Sequence, residues 1–332
     1  MLKMGFIGQG GITGAHYPGY KKLIADGKVS IEAVADIRPE MLNKYDAPHK
    51  YGDYKELIEA EAGKLDFVDI CLPTFLHPDA AIRSMEAGFN VIVEKPMALS
   101  YEECVRMCET AKRTGKTLMV AQCCRFEAFA DAARWYLESG EFGDLKTLCF
   151  KRDGGTPRWA WENWFLKEEL SGGAILDLHV HDVDLMNSLL GMPKCLSAGA
   201  SRIIEGDGPD IISSNYYYEN GLFTHITADW TTGNNQCYGR VYRMDFMKGH
   251  ILQASFLGQK VFAAFPAEGG RIDLDERFPH VDMYYEEIKY FTECIAKGEP
   301  VSRCLPETTA ESIRIALSEK KSASLDGERI YL

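Results

Sequence analysis

The stretch Lys3-Met4-Gly5-Phe6-Ile7-Gly8-Gln9-Gly10-Gly11-Ile12-Thr13 decides the fold of this chain. Lys3 to Ile7 reads as a β-strand and Thr13 to Ala25 as a helix, with the glycines in the turn between them. The first glycine permits a tight turn, and the second lets the backbone approach a pyrophosphate. The helix N-terminus that follows offers unpaired N–H groups and a partial positive charge. Thr13 stands where a third glycine or an alanine is usual, which weakens the helix–strand packing part of the motif but not the phosphate part. A second strand, Val29 to Ala35, ends at Asp36, followed by Ile37 and Arg38. An acid there accepts ribose hydroxyls and repels a 2′-phosphate, which favours NAD; Arg38 is a partner for such a phosphate and leaves NADP open. For the glycines alone, a turn in an unrelated α/β protein competes with this reading.

Further along, Phe67 to Leu72, Asn90 to Val93 and Thr117 to Ala121 read as strands. Pro78 to Ala87 is a helix stopped by Gly88. Ser100 is an N-cap, with Glu103 completing a capping box for a helix to Lys112. Strands alternating with helices predict an α/β chain with a doubly wound parallel sheet of the Rossmann kind. After Gln122 the texture changes. Phe129 to Glu138 is helical, Leu145 to Arg152 is a strand, Thr156 to Leu170 is a tryptophan-rich loop, and Ala174 to Leu190 is helical. Strands follow over Leu196–Ile204, Ile211–Tyr218, Leu222–Trp230 and Tyr238–Met247, with shorter runs beyond. Short turns such as Glu219-Asn220-Gly221 predict a mainly antiparallel second sheet. Tyr284 to Lys297 and Thr308 to Ser324 are closing helices. The expected domains are 1–122, for a dinucleotide, and 123–332, for substrate and oligomerisation.

Size agrees with two domains: the chain has 332 residues, against about 150 per domain. Apolar content of 46% and charged content of 26% fit a globular core. The net charge of −12 argues against nucleic acid and membrane surfaces as general partners. The ten cysteines form no Cys-x-x-Cys pair, and the short apolar start at Met1 to Ile7 is not a secretory leader, so free thiols in the cytoplasm are expected. Cys104 and Cys108, four apart on a helix, read as packing residues before a metal pair. No apolar run is long enough for a membrane span.

Two further groups carry chemistry. Glu94-Lys95-Pro96 closes a parallel strand, so Lys95 points to the crevice where ligands of open α/β sheets bind. A lysine there stabilises a substrate oxygen as charge develops; a solvated ion pair with Glu94 is the plainer alternative. Asp177, His181 and Asp184, at i, i+4 and i+7 of an apolar helix, share one face. A carboxylate beside an imidazole raises its basicity and orients it, which suits a general base, though a buried structural pair has the same signature. Asp177-Leu178-His179-Val180-His181 also matches a DxHxH zinc motif of hydrolase barrels, which needs a strand. The helical period, the mid-chain position and the scatter of His225, His250 and His280 count against it, so no metal is expected.

These residues together resemble the glucose–fructose oxidoreductase / inositol dehydrogenase family. The carriers are Gly8-Gln9-Gly10-Gly11-Ile12 with His16, Cys71-Leu72-Pro73-Thr74 with His77, Glu94-Lys95-Pro96, Arg125-Phe126, Gly172-Gly173 with Asp177, His181 and Asp184, and the segment from Tyr284 onward. The resemblance implies an N-terminal Rossmann domain, and a C-terminal α/β domain whose large open sheet mediates homodimers or homotetramers. It implies Lys95, Asp177 and His181 as the catalytic trio of a sugar or polyol dehydrogenase. It implies Leu72, Pro73, Thr74, His77, Glu94 and Gln122 as cofactor-lining residues beside the glycines, Asp36, Ile37 and Arg38, with Trp164 over the nicotinamide. Arg125, Arg158, Trp159 and Tyr284 are the expected substrate contacts. His179 departs from the small residue usual at its position, which bears on substrate identity. The expected activity is NAD(P)-dependent oxidation of a secondary alcohol on a sugar or an inositol-like ring. The alternatives are an NAD-using glycoside cleavage that leaves no net NADH, and a cofactor-binding regulator without catalysis.

Overall fold

The computed structural model describes residues 1–204, 206–232, 239–256 and 258–332. It divides into two compact units, residues 1–123 with 282–310, and residues 124–281 with 311–332.

In the first unit, β1 (Leu2–Ile7), β2 (Val29–Ala35), β3 (His49–Tyr51), β4 (Phe67–Ile70), β5 (Asn90–Glu94) and β6 (Leu118–Ala121) form one parallel sheet. Its order is β3-β2-β1-β4-β5-β6. The chain therefore winds outward from β1 on one side and from β4 on the other, which opens a crevice at the carboxyl ends of these two strands. β4 and β6 are buried along their whole length, as expected of parallel strands covered on both faces. Helices α1 (Thr13–Ala25), α2 (Tyr54–Ala60), α3 (His77–Glu86) and α4 (Tyr101–Thr114) make the crossovers. Ser100 caps α4 as the sequence predicts: its hydroxyl accepts the Glu103 N–H at 3.2 Å and donates to the Glu103 carboxylate at 3.0 Å. Neither β3 nor α2 was anticipated, because both are short and carry little periodicity.

The second unit holds a nine-stranded sheet with helices α5 (Ala128–Ser139), α6 (Glu168–Ser171) and α7 (Val180–Leu190). Its strands are β7 (Leu145–Asp153), β8 (Cys195–Ser201), β9 (Ile211–Tyr217), β10 (Phe223–Asp229), β11 (Arg240–Phe246), β12 (Gly249–Phe256), β13 (Gln259–Pro266), β14 (Ile272–Asp273) and β15 (Ile330–Tyr331). The order is β14-β13-β12-β11-β7-β10-β9-β8-β15, antiparallel except for the pair β7 and β10. Leu148, Phe150, Tyr216, Ile226, Tyr242 and Met244 point to one face of this sheet and pack with Phe129 of α5 and with Val183 and Met186 of α7. The predicted beginning of the fourth strand at Tyr238, and Cys237, lie outside the described residues. The nine described cysteines are free thiols.

Two departures matter for the site. The run Ala174 to Leu190 is not one regular α-helix: Ile175–His179 forms a π turn, with the Val180 N–H donating to the Ile175 carbonyl, before α7 begins. Gly172 enters this turn at φ +75°, and a Cβ there would lie 2.4 Å from Leu176. The loop 156–170 contains a short 3₁₀ segment, Trp161–Leu166, in which Trp164 stacks on Phe165.

The first unit is completed late in the chain. Helix α8 (Met283–Lys297) packs on α1, where Gly19 leaves room for the Tyr285 backbone, and Phe291 meets Phe67 edge-on at 5.4 Å. The closing helix α9 spans Pro306–Ser324. Among the described residues no helix is long and apolar enough to cross a membrane.

Candidate active-site residues

The glycine turn lies at the carboxyl end of β1, against the segment that leaves β4. Gly8 has φ +84°, and a Cβ on it would come within 2.7 Å of the Cys71 carbonyl oxygen, so only glycine is accommodated. At Gly10 the space beyond the Cα is open. Helix α1 starts from Ile12 with no side-chain cap and no acid in its first turn, which suits an anion. Thr13, the unusual residue of the motif, is fully buried. Its hydroxyl donates to the Gly10 carbonyl at 2.8 Å and accepts from Lys44 at 2.9 Å and Tyr45 at 3.0 Å. Hydrogen bonding thus replaces the close packing that a glycine would give.

Asp36 accepts four hydrogen bonds. Oδ2 takes the Gln9 N–H at 2.8 Å and Arg38 Nη2 at 2.9 Å; Oδ1 takes the Arg38 N–H and Nε, each at 2.9 Å. Burial works against its charge, but the Arg38 guanidinium and the two backbone N–H groups hold its carboxyl below the usual carboxylate range. Lys44, which no sequence signal marked, reaches the Gly10 carbonyl at 2.8 Å, and burial lowers its pKa. Asp36 thus presents a carboxylate at the end of β2 with Arg38 folded onto it. Replacing Asp36 with serine is expected to shift the preference between NAD and NADP toward NADP by roughly a hundredfold, the equivalent of a like-charge penalty of about 3 kcal/mol. Dissociation constants of both cofactors, measured by protein fluorescence, check this.

Three more segments reach the same edge of the sheet. After β4, Leu72, Pro73 and Thr74 lead into a 3₁₀ turn, and Ile37 beyond β2 is exposed. His77 is buried between the Leu72 carbonyl at 2.8 Å and the Pro96 carbonyl at 2.9 Å; burial lowers its pKa, so a neutral ring donates to one of them at a time. After β5, the Lys95 N–H donates to Glu94 Oε2 at 3.0 Å, and the Lys95–Pro96 peptide is cis. After β6, Gln122 is fully buried with both side-chain amide atoms unpartnered, as is Gln9 in the glycine turn. Buried amides without partners are costly unless a ligand satisfies them. Together with the open space at Gly10 and the bare start of α1, they fit a dinucleotide.

In the second unit, Asp177 and His181 are half-buried, Asp177 in the π turn and His181 in the first turn of α7. The wider turn means that the four-residue spacing of a regular α-helix does not carry through this stretch. His181 Nδ1 lies 3.8 Å from Cys124 Sγ, which also receives Arg152 Nη2 at 3.3 Å. Sequence reasoning missed Cys124, because nothing local marks a thiol as a neighbour of a histidine 57 residues on. His179 faces the core, with Glu319 Oε2 at 3.1 Å and the Tyr216 hydroxyl at 3.3 Å from its Nε2. The two histidines therefore part, and the helical backbone lacks the alternation that a strand-borne metal pair needs.

The expected substrate contacts are spread out. Arg125 is buried and forked onto Asp184, with Nε to Oδ2 and Nη2 to Oδ1 both at 2.7 Å, while Ser312 donates to the same carboxylate at 2.8 Å. Removing one partner of such a pair strands a buried charge. Arg125→Ala is expected to destabilise the protein by about 3–5 kcal/mol, a fall in Tm of roughly 10 °C; adding Asp184→Ala should recover part of it in thermal melts. Arg158 and Trp159 are exposed in the tryptophan loop, and Tyr284 lies in the first unit, its ring 6.0 Å from that of His16.

Residues 2–122 match the oxidoreductase family with an NAD-binding Rossmann fold, and residues 131–251 match the GFO/IDH/MocA C-terminal domain. The chain is 29% identical over 284 residues to scyllo-inositol 2-dehydrogenase (NAD(+)) of Bacillus subtilis, covering 80% of each. It is 26% identical over 281 residues to D-glucoside 3-dehydrogenase of Escherichia coli, covering 80% of this chain and 78% of that protein. In fold it is similar to an oxidoreductase from Agrobacterium radiobacter solved with NAD+, L-tartaric acid and magnesium, with a TM-score of 0.85 over 99% of this chain and 98% of that one, at 19% identity. With both of its units matched to the two domains of one family, the chain belongs to the GFO/IDH/MocA oxidoreductases, and its first unit is an NAD-binding Rossmann domain.

Proposed function

We propose that this oxidoreductase transfers a hydride between bound nicotinamide and a secondary alcohol of a sugar or an inositol-like cyclic polyol. One observation carries the reading: the turns after β1, β2, β4, β5 and β6 all open on the carboxyl edge of one parallel sheet, and Lys95 stands among them with its backbone anchored. The names of the inositol and glucoside dehydrogenase relatives point to the same substrate class.

Bound nicotinamide supplies the hydride acceptor. His181 takes the proton of the substrate hydroxyl, and Asp177 steadies the imidazolium that results. Lys95 donates to the substrate oxygen as it becomes a carbonyl and stabilises the charge that builds there. Trp164 would cover the nicotinamide, and Arg158, Trp159 and Tyr284 would be the contacts for the remaining hydroxyls. In the second unit, Arg125 sets the position of α7 through Asp184. The working protein is a cytoplasmic homodimer or homotetramer.

The test is a panel of inositols, aldoses and sugar acids with NAD and with NADP, followed by the absorbance of reduced nicotinamide. At least one polyol or sugar is expected to give stoichiometric reduced cofactor. Tight cofactor binding with no reduction by any member would overturn the reading.

A further inference from the structure

His16, in the first turn of α1, has both ring nitrogens engaged by acids. Nδ1 lies 2.8 Å from Asp69 Oδ2 on β4, and Nε2 lies 2.8 Å from Glu94 Oε1 at the end of β5. A third carboxylate, Glu287 of α8, has Oε1 at 4.0 Å from Nε2. The histidine, Asp69 and Glu287 are fully buried and Glu94 nearly so. The other titratable groups facing the ring are the Cys71 thiol, 3.8 Å from Nδ1, and Tyr284 of α8, while Tyr20 of α1 lies in the same buried group beside Asp69. Burial pushes both the Cys71 thiol and the Tyr20 hydroxyl up, so neither adds charge.

A neutral imidazole has one N–H and can satisfy one of two flanking carboxylates; its other nitrogen would then hold a lone pair against a carboxylate oxygen in a buried setting. Only the imidazolium donates to both. Burial is the largest single effect and disfavours that charge, but the Asp69 carboxylate together with the Cys71 sulfur offsets it and leaves the His16 pKa well above the ordinary 6.5. The second oxygen of Glu94 accepts the Lys95 N–H at 3.0 Å. One carboxylate thus bridges a buried cation on the phosphate-binding helix and the backbone of Lys95.

We propose that His16 is a positioning residue for Lys95: as a doubly donating imidazolium it holds Glu94 on the Lys95 backbone N–H. The role rests on Lys95 being the group that stabilises the substrate oxygen, as proposed above. Without His16, Asp69, Glu94 and Glu287 share a buried volume that has lost its cation. Glu94 then takes up a proton or turns toward the ammonium of Lys95, and in either case the amine titrates at a different pH.

The experiment uses the full chain and has two arms. In the first, ¹H–¹⁵N NMR of the labelled protein follows the histidine ring nitrogens from about pH 6 to about pH 9, with His16 assigned from a His16→Gln variant; two protonated nitrogens are expected throughout. A ring that loses a proton near the ordinary histidine value overturns the proposal, and this readout needs no substrate. In the second arm, His16→Gln and His16→Asn are expected to bind NAD within about threefold of the parent but to lower kcat about 10- to 100-fold. Labelling of Lys95 by an amine reagent, mapped by mass spectrometry, is expected to move its pH midpoint by about one unit. A midpoint and pH–rate profile unchanged in both variants overturn the positioning role. If no alcohol gives reduced cofactor, the labelling and NMR results still decide for or against it, so its failure and the failure of the dehydrogenase reading are told apart.

Discussion

His181→Ala is expected to lower kcat by about two to four orders of magnitude, the range for loss of a general base. The side chain sits in the first turn of α7, half-buried, with Cys124 Sγ 3.8 Å from its Nδ1. Because the ring is not enclosed in the core, its truncation should leave the fold standing, in contrast to His179, which is fully buried against Glu319 and Tyr216. Steady-state rates and a thermal melt on the same preparation check this: a large fall in kcat with Tm nearly unchanged. Near-full turnover would remove His181 from the chemistry.

Lys95→Ala is expected to lower kcat/KM by about 10²- to 10³-fold, the scale for losing one donor to a developing oxyanion. The lysine is held on two sides: its own N–H by Glu94, and the Pro96 carbonyl by His77. Lys95→Arg should restore little, because a planar guanidinium presents its donors in a different geometry from a compact ammonium. The NAD dissociation constant should stay within a few-fold of the parent. A loss of affinity equal to the loss of rate would make Lys95 a cofactor ligand and not a stabiliser of substrate charge.

Much of the first unit was legible because its signals are local. The glycine turn, the capping box at Ser100 and Glu103 and the alternation of strand and helix each follow from a few neighbouring residues. The Asp36 carboxylate at the end of β2 was legible for the same reason, whereas its fourfold hydrogen bonding was not, since that depends on how Arg38 folds back. The π turn at Ile175–His179 left no trace in a period count, because five residues do not distinguish one helical pitch from another. The partners that define the interior of the sites join residues far apart: Asp184 with Arg125, Cys124 with His181, and Glu94 with His16. No spacing rule reaches 59, 57 or 78 residues along a chain.

Helix α8 covers α1 only after the ribosome has moved more than 150 residues past the first unit's last strand. At about 5–20 residues per second, this is a delay of roughly 10–30 s. Throughout that interval Phe67, Tyr20 and the acids around His16 lack the lid that Phe291 and Glu287 later supply. The nascent nucleotide-binding half must therefore wait, partly open, while residues 124–281 of the second unit are made.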